Sequence, residues 1–155
     1  MKAYLKAALI LCCAFLTATA FSHGGATGIV KERMDVMDDM ADATKLVADM
    51  YKGKTEFDRN AIAAAIETYL RHGDEMRTLF PDTEHSRSGS STEALPQIWI
   101  APNEFSEQID AFVKATNTLN AAFDKGVSDK LLKKQFFLTT KTCSNCHKQF
   151  RKPKK

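Results

Sequence analysis

The chain has 155 residues, 44% of them hydrophobic and 26% charged, with a formal net charge of +3. That length suits a single domain able to bury well over half of its unfolded surface, and so balanced a charge argues against a nucleic-acid binder. No internal repeat is visible.

Lys2 and Lys6 precede an apolar run from Ala7 to Leu16, and Ala18, Thr19 and Ala20 supply the small residues of a cleavage site. The pattern predicts a secretory signal peptide over residues 1–20, cut after Ala20 and too short for a stable membrane span. A lipid anchor on Cys12 or Cys13 is a poorer reading, because both cysteines sit inside the apolar run and neither follows a small residue. The mature domain, residues 21–155, then carries a net charge of +1 and no second apolar run of spanning length. An exported, periplasmic, membrane-free protein is expected.

Beyond the leader the apolar periodicity is helical throughout. A first helix is predicted from Gly28 to Lys52, with Val30, Arg33, Met37, Met40, Thr44, Val47 and Tyr51 on one seam and Gly53 as its stop. A second runs from an Asp58 cap to Leu79 with Ile62, Ile66, Tyr69, Gly73 and Met76 on its stripe, closed by Pro81. Residues 81–101 read as an irregular crossing, pinned by Leu95, Ile98 and Trp99 and long for a compact domain. A third helix follows Pro102 with Asn103 as cap and Phe105, Ile109, Phe112, Thr116, Leu119 and Phe123 in register before Gly126. A fourth starts at Ser128 and carries Leu132, Phe136, Thr139, Cys143, Cys146 and Phe150. Short turns join the first pair and the last pair, which predicts an all-α antiparallel four-helix bundle.

The last helix ends in Cys143-Ser144-Asn145-Cys146-His147, the C-x-x-C-H attachment motif of c-type haem. On a helix the two cysteines and His147 stand at i, i+3 and i+4, so all three leave one face within one turn. Two thiols there can join the vinyl groups of one porphyrin while His147 binds its iron. A zinc site needs four ligands, and only His23, His72 and His85 remain to complete one, none at a tight spacing. A thioredoxin-like redox pair calls for a βαβ context that is missing here. With Cys12 and Cys13 in the leader, the mature chain has no thiol left over for a disulfide. The expected cofactor is one covalent haem c with its iron, enclosed by the bundle. His23, His72 and His85 are expected to be exposed, and no nucleophile–base or acid pair suggests an enzyme.

On these residues the chain resembles the class II c-type cytochromes, the cytochrome c′ family. The likeness rests on the haem motif near the C-terminus followed by Lys148-Gln149-Phe150-Arg151, on Pro96-Gln97-Ile98-Trp99, and on Val30 to Met37. The resemblance implies that residue 37 faces the iron opposite His147. Met37 there implies a low-spin branch in which a thioether is the distal ligand and the protein carries single electrons between redox proteins. The alternative is a five-coordinate, high-spin cytochrome c′ that binds nitric oxide or carbon monoxide, with Met37 only lining the pocket, since methionine on a helix seam is an ordinary gap filler. An Arg one turn before the distal residue, here Arg33, is familiar from that second branch. Arg33 is expected either to contact a haem propionate or to pair with Asp35 or Asp38 at the rim. Phe150 is expected to pack near the haem and Arg151 to limit access to His147. Pairing of copies through the first two helices is also implied. From Lys130 to Lys155 there are nine basic residues and no acidic one, which either steers an acidic redox partner or is a solvated, dipole-favoured terminus.

Overall fold

The computed structural model describes residues 25–89 and 91–153. The leader proposed at residues 1–20, with Cys12 and Cys13, lies outside them, as does His23. Six helices follow in order: α1 (Gly28–Tyr51), α2 (Arg59–Glu75), α3 (Glu84–Ser88), α4 (Gln97–Ile100), α5 (Pro102–Asp124) and α6 (Asp129–Phe150). The four long ones form an antiparallel bundle in which α1 packs on α2, α2 on α5, and α5 on α6.

The boundaries follow local chemistry. Gly53 adopts φ +72° and Gly126 φ +62°, left-handed conformations that end α1 and α5 at no Cβ cost. The Asp58 carboxylate accepts the Asn60 N–H at 2.8 Å and so satisfies one orphan donor at the start of α2. Two boundaries differ from the sequence expectation. Helix α2 stops at Glu75, and the Arg77 and Thr78 amides turn to carbonyls three residues back, although Met76 and Leu79 still bury their side chains. Helix α5 starts at Pro102 itself, with Asn103 already inside it. Proline lacks only an N–H that the first helical position leaves unpaired in any case.

The crossing is more ordered than its composition predicts. Thr83 caps α3 by accepting the Ser86 N–H at 3.3 Å. Ile98 in α4 is buried, and the Trp99 indole N–H donates to the Phe80 and Pro81 carbonyls at 3.2 Å each. The segment also straps the end of α6. The Leu95 N–H donates to the Phe150 carbonyl at 2.9 Å, the Lys152 N–H to the Glu93 carbonyl at 2.7 Å, and the Arg151 guanidinium to the Glu93 carboxylate at 2.6 Å. Helix ends leave carbonyls without partners, and this strap supplies one.

Val47, Ile62, Leu119, Leu132 and Phe136 are almost wholly buried along the bundle axis. One side of the bundle is unlike the others. Helices α1 and α6 share little backbone contact. They meet through side chains at one end, where Tyr51 packs on Phe136 with ring centroids 5.7 Å apart and the Lys133 ammonium donates to the Tyr51 carbonyl at 3.0 Å. No described helix is long and apolar enough to cross a membrane.

Phe136→Ala should lower unfolding free energy by about 3–5 kcal/mol, whereas Asp58→Ala, which removes only a cap, should cost about 1 kcal/mol. Urea titration followed by circular dichroism distinguishes the two. Equal losses would mean that Phe136 is not part of the central packing.

Candidate functional site

Cys143, Cys146 and His147 lie half-buried within one turn of α6. They continue the line of Leu132, Phe136 and Thr139, so the motif is in register with the core. The Thr139 hydroxyl reaches the Gln135 carbonyl at 3.1 Å and the Ala115 carbonyl on α5 at 3.3 Å, which fixes the helix one turn before the first cysteine. Neither cysteine is paired in a disulfide. Burial pushes the Cys143 thiol up, and burial together with the neighbouring Cys143 pushes Cys146 up to about 11. Both are therefore neutral thiols near pH 7. Among the described residues no cluster of three or more His, Cys, Asp and Glu is arranged to hold a metal ion. A single imidazole suits an iron whose equatorial nitrogens come from a porphyrin.

The wall opposite is α1. Counting outward from the Tyr51–Phe136 contact, Met40 of α1 lies level with His147 of α6 at about 16 Å along the axis, and Met37 level with Phe150 at about 21 Å. Val36 and Met40 are buried there, and Met37 is half-buried against the core. Asp38 and Asp39 face outward.

Arg33 is not at the rim. It is 4% exposed, with its guanidinium over the Phe80 ring at 4.9 Å and Nη2 donating to the Ser86 carbonyl at 2.6 Å. Lys31 takes Asp35 as its partner. The Nε and Nη1 atoms of Arg33 are buried without a hydrogen-bond acceptor, an expensive arrangement, and burial lowers the guanidinium pKa. A carboxylate placed beside them removes the cost, which is what a haem propionate offers. Two cysteines and an imidazole on one turn, a side of the bundle where α1 and α6 share little backbone contact, and an orphaned guanidinium together fit a covalent haem.

Phe150 is buried, edge-on to Phe105 at 5.2 Å, and Phe105 meets Phe80 at 4.8 Å, so an aromatic row links α6 to the ring beneath Arg33. Arg151 is committed to Glu93 and to the crossing segment, so it acts as a strap for the helix end more than as a screen for His147. His85 is exposed, as expected. His72 is not. It is 5% exposed, with Nδ1 2.5 Å from the Glu75 carboxylate and Nε2 3.1 Å from that of Asp39 on α1. The buried face of α2 is wider than the stripe that periodicity marks, because α1 and α5 both cover it. Sequence reasoning also missed a pair behind Cys143. The Thr44 hydroxyl donates to the Met40 carbonyl at 2.7 Å and accepts from the Tyr69 hydroxyl at 2.7 Å. Thr44 and Tyr69 both stand on predicted seams, and polar side chains there are the available signal.

A family model described as Cytochrome C′ matches residues 28–151. The chain is 29% identical over 128 residues to a protein named cytochrome c′ from Rhodopseudomonas palustris, covering 83% of this chain and 84% of that one. A solved cytochrome c′ from the same organism superposes with a TM-score of 0.73 at 26% identity, over 84% of this chain and all of the other. A nitric oxide complex of a cytochrome c prime variant from Alcaligenes xylosoxidans gives a TM-score of 0.70 at 28% identity, over 81% of this chain and 94% of that one.

Tyr69 carries a pH consequence. Burial, against the favourable Thr44 contact, pushes its phenol up to about 12 from an ordinary value of 10.0. A folded-state pKa above the unfolded one means stability that is complete below pH 10 and is lost as pH rises towards 12. The urea midpoint should fall across that window, and Tyr69→Phe should flatten this part of the fall. Parallel profiles for the two proteins would remove Tyr69 from the account.

Proposed function

The chain belongs to the cytochrome c′ family, and from that premise we propose that it is an exported single-haem cytochrome that binds a small gas, nitric oxide or carbon monoxide. Proteins of this family bind haem c covalently, with its iron. In this reading Cys143 and Cys146 form the thioethers, His147 is the proximal ligand and Arg33 meets a propionate. The group bound there supplies an iron able to take a sixth ligand or to exchange one electron. The chain's own contribution is positional. Helix α6 aims three side chains from one turn, and the row Phe150–Phe105–Phe80 excludes water from one edge. The first twenty residues are its export leader, and the periplasm is its compartment. Pairing of copies through α1 and α2 belongs to the same proposal.

The observation that carries the gas-binding reading is the wall opposite His147. Val36, Met37 and Met40 line it with carbon and thioether sulfur, while Arg33 is turned onto Ser86. Such a wall offers neither a nitrogen ligand nor a proton donor, and it admits a small apolar diatomic. The sequence alone puts a Met37-ligated electron carrier first. The relatives, named cytochrome c′ and in one case holding nitric oxide, support the opposite order.

One observation keeps the second reading in play: Met37 packs inward on α1 within one turn of the level of His147, and its sulfur is a soft donor for ferrous iron. Electronic spectra of the protein from a host that matures c-type cytochromes separate the two. The gas-binding form should be high-spin as the ferrous protein, take up carbon monoxide rapidly, and keep its spectrum in Met37→Ala. A ferric sulfur–iron charge-transfer band with no carbon monoxide shift would overturn it. In that event the loss of the band in Met37→Ala or in Met40→Ala names the ligand. Cys143→Ser with Cys146→Ser should release the pigment to acid acetone, and the unaltered protein should retain it.

A further inference from the structure

The outer face of α6 carries a line of lysines that neither the core nor the haem site uses, flanked by exposed apolar side chains, of which Phe137 also packs on Tyr51 and Phe136. Lys130, Lys134, Lys141 and Lys148 follow one another by four, seven and seven residues, so they run down one exposed line of the helix. None of them makes an ion pair with a described residue. Leu131 and Leu138, seven residues apart, flank this line on one side at 41% and 46% exposure, and Phe137 flanks it on the other at 41%. The helix dipole accounts for Lys148 in the last turn. It disfavours Lys130 and Lys134 near the start, where the positive end lies. Large apolar side chains gathered on an exposed face carry a cost in solubility, and such patches mark contact surfaces.

We propose that this face docks a protein whose surface is acidic around an apolar centre, and that electrons pass between that partner and the haem on the inner side of the same helix. The proposal rests on α6 holding the haem through Cys143, Cys146 and His147, and it does not depend on what lies opposite His147. A helix is about 10–12 Å across with its side chains, so a partner on the outer face stands roughly one helix diameter from the ring.

A second copy of this chain is a poor occupant. Two α6 faces together oppose lysine with lysine. The exposed acidic residues of α1, Glu32, Asp38, Asp39 and Asp42, lie within its first fifteen residues. In the register that Tyr51 and Phe136 define, the Lys130–Lys134 end is level with Lys52 and Lys54. A lipid surface is poor for a different reason. The lysine line runs between the apolar side chains, so sinking Phe137 and Leu138 among acyl chains takes Lys134 and Lys141 with them. A protein can meet each lysine with its own carboxylate.

The experiment uses the ferric haem-loaded protein mixed in a stopped-flow instrument with a reduced flavodoxin, an acidic one-electron flavoprotein. The rate constant should fall on the order of tenfold or more as ionic strength rises from about 0.01 to about 0.3 M. Lys134→Glu with Lys141→Glu should remove most of both the rate and its salt dependence. Lys114→Glu on α5 with Lys125→Glu at its C-cap, the same change in net charge, should leave most of both. Leu138→Ser should slow transfer at high salt as well, where steering is screened. Neutral hydroquinone should reduce all variants alike. Equal effects of the two lysine pairs, or a rate indifferent to salt, would overturn the docking face. So would salt-sensitive binding to vesicles of equal phosphatidylglycerol and phosphatidylcholine that the α6 variants abolish while flavodoxin rates stay unchanged. Calorimetric titration of the protein with flavodoxin needs no haem, so a colourless product refutes the haem reading while docking is still measured.

Discussion

Tyr51 against Phe136 is where the first and last long helices touch, and the register of everything between them starts there. Three sides of the bundle close on interdigitated side chains, each burying apolar groups at about 1.5–3 kcal/mol apiece. The fourth is joined at one end and leaves α1 and α6 apart along the stretch that carries Met37, Met40 and the Cys143–His147 turn. A bundle closed on all four sides would have no place for a flat ring. One without the Tyr51 contact would not keep a defined distance across the gap. Tyr51, packed on Phe136 and Phe137 and bonded through its carbonyl to Lys133, thus works as a hinge pin between two helices that are otherwise held by their neighbours.

Helix α6 does three things on three sides. Its Leu132–Phe136–Thr139 line joins the core, its Cys143–His147 turn continues that line, and its lysine line faces outward. The helical repeat keeps these separate, so a change on one side is felt little on the others. Arg33 does something comparable for α1. Through the Ser86 carbonyl it ties α1 to α3, and through Phe80, Phe105 and Phe150 it is coupled to the end of α6. Its two unpartnered nitrogens are a standing cost in the chain alone, and costs of this kind mark where a partner group is missing.

The long helices were legible because each is amphipathic at helical spacing and because Gly53, Asp58, Gly126 and Ser128 mark their ends by local chemistry. The helical placement of Cys143, Cys146 and His147 was legible for the same reason: the three residues fall within one turn of α6. What escaped depends on partners distant in sequence. His72 looks like a surface residue until Asp39, thirty-three positions earlier, is brought against it. Arg33 looks like a rim residue until the Ser86 carbonyl, fifty-three positions later, turns it inward. The two short helices of the crossing have too few residues for a periodic pattern, and they exist because Trp99 and Ile98 are anchored by the bundle beneath them. Whether a sulfur at residue 37 would reach an iron held by His147 depends on how α1 packs across from α6, a long-range relation that no spacing rule encodes.

The strap from Glu93 and Leu95 to the end of α6 has an implication for assembly order. Cys143 and Cys146 lie one to two turns before the end of α6 that the strap fastens. A thiol that must be presented to an attaching machine is best reached while its helix end is still loose. Once the crossing segment fastens that end, both sulfurs are half-enclosed. Loading and closure therefore compete in time, and the slower the strap forms, the larger the fraction of molecules that mature.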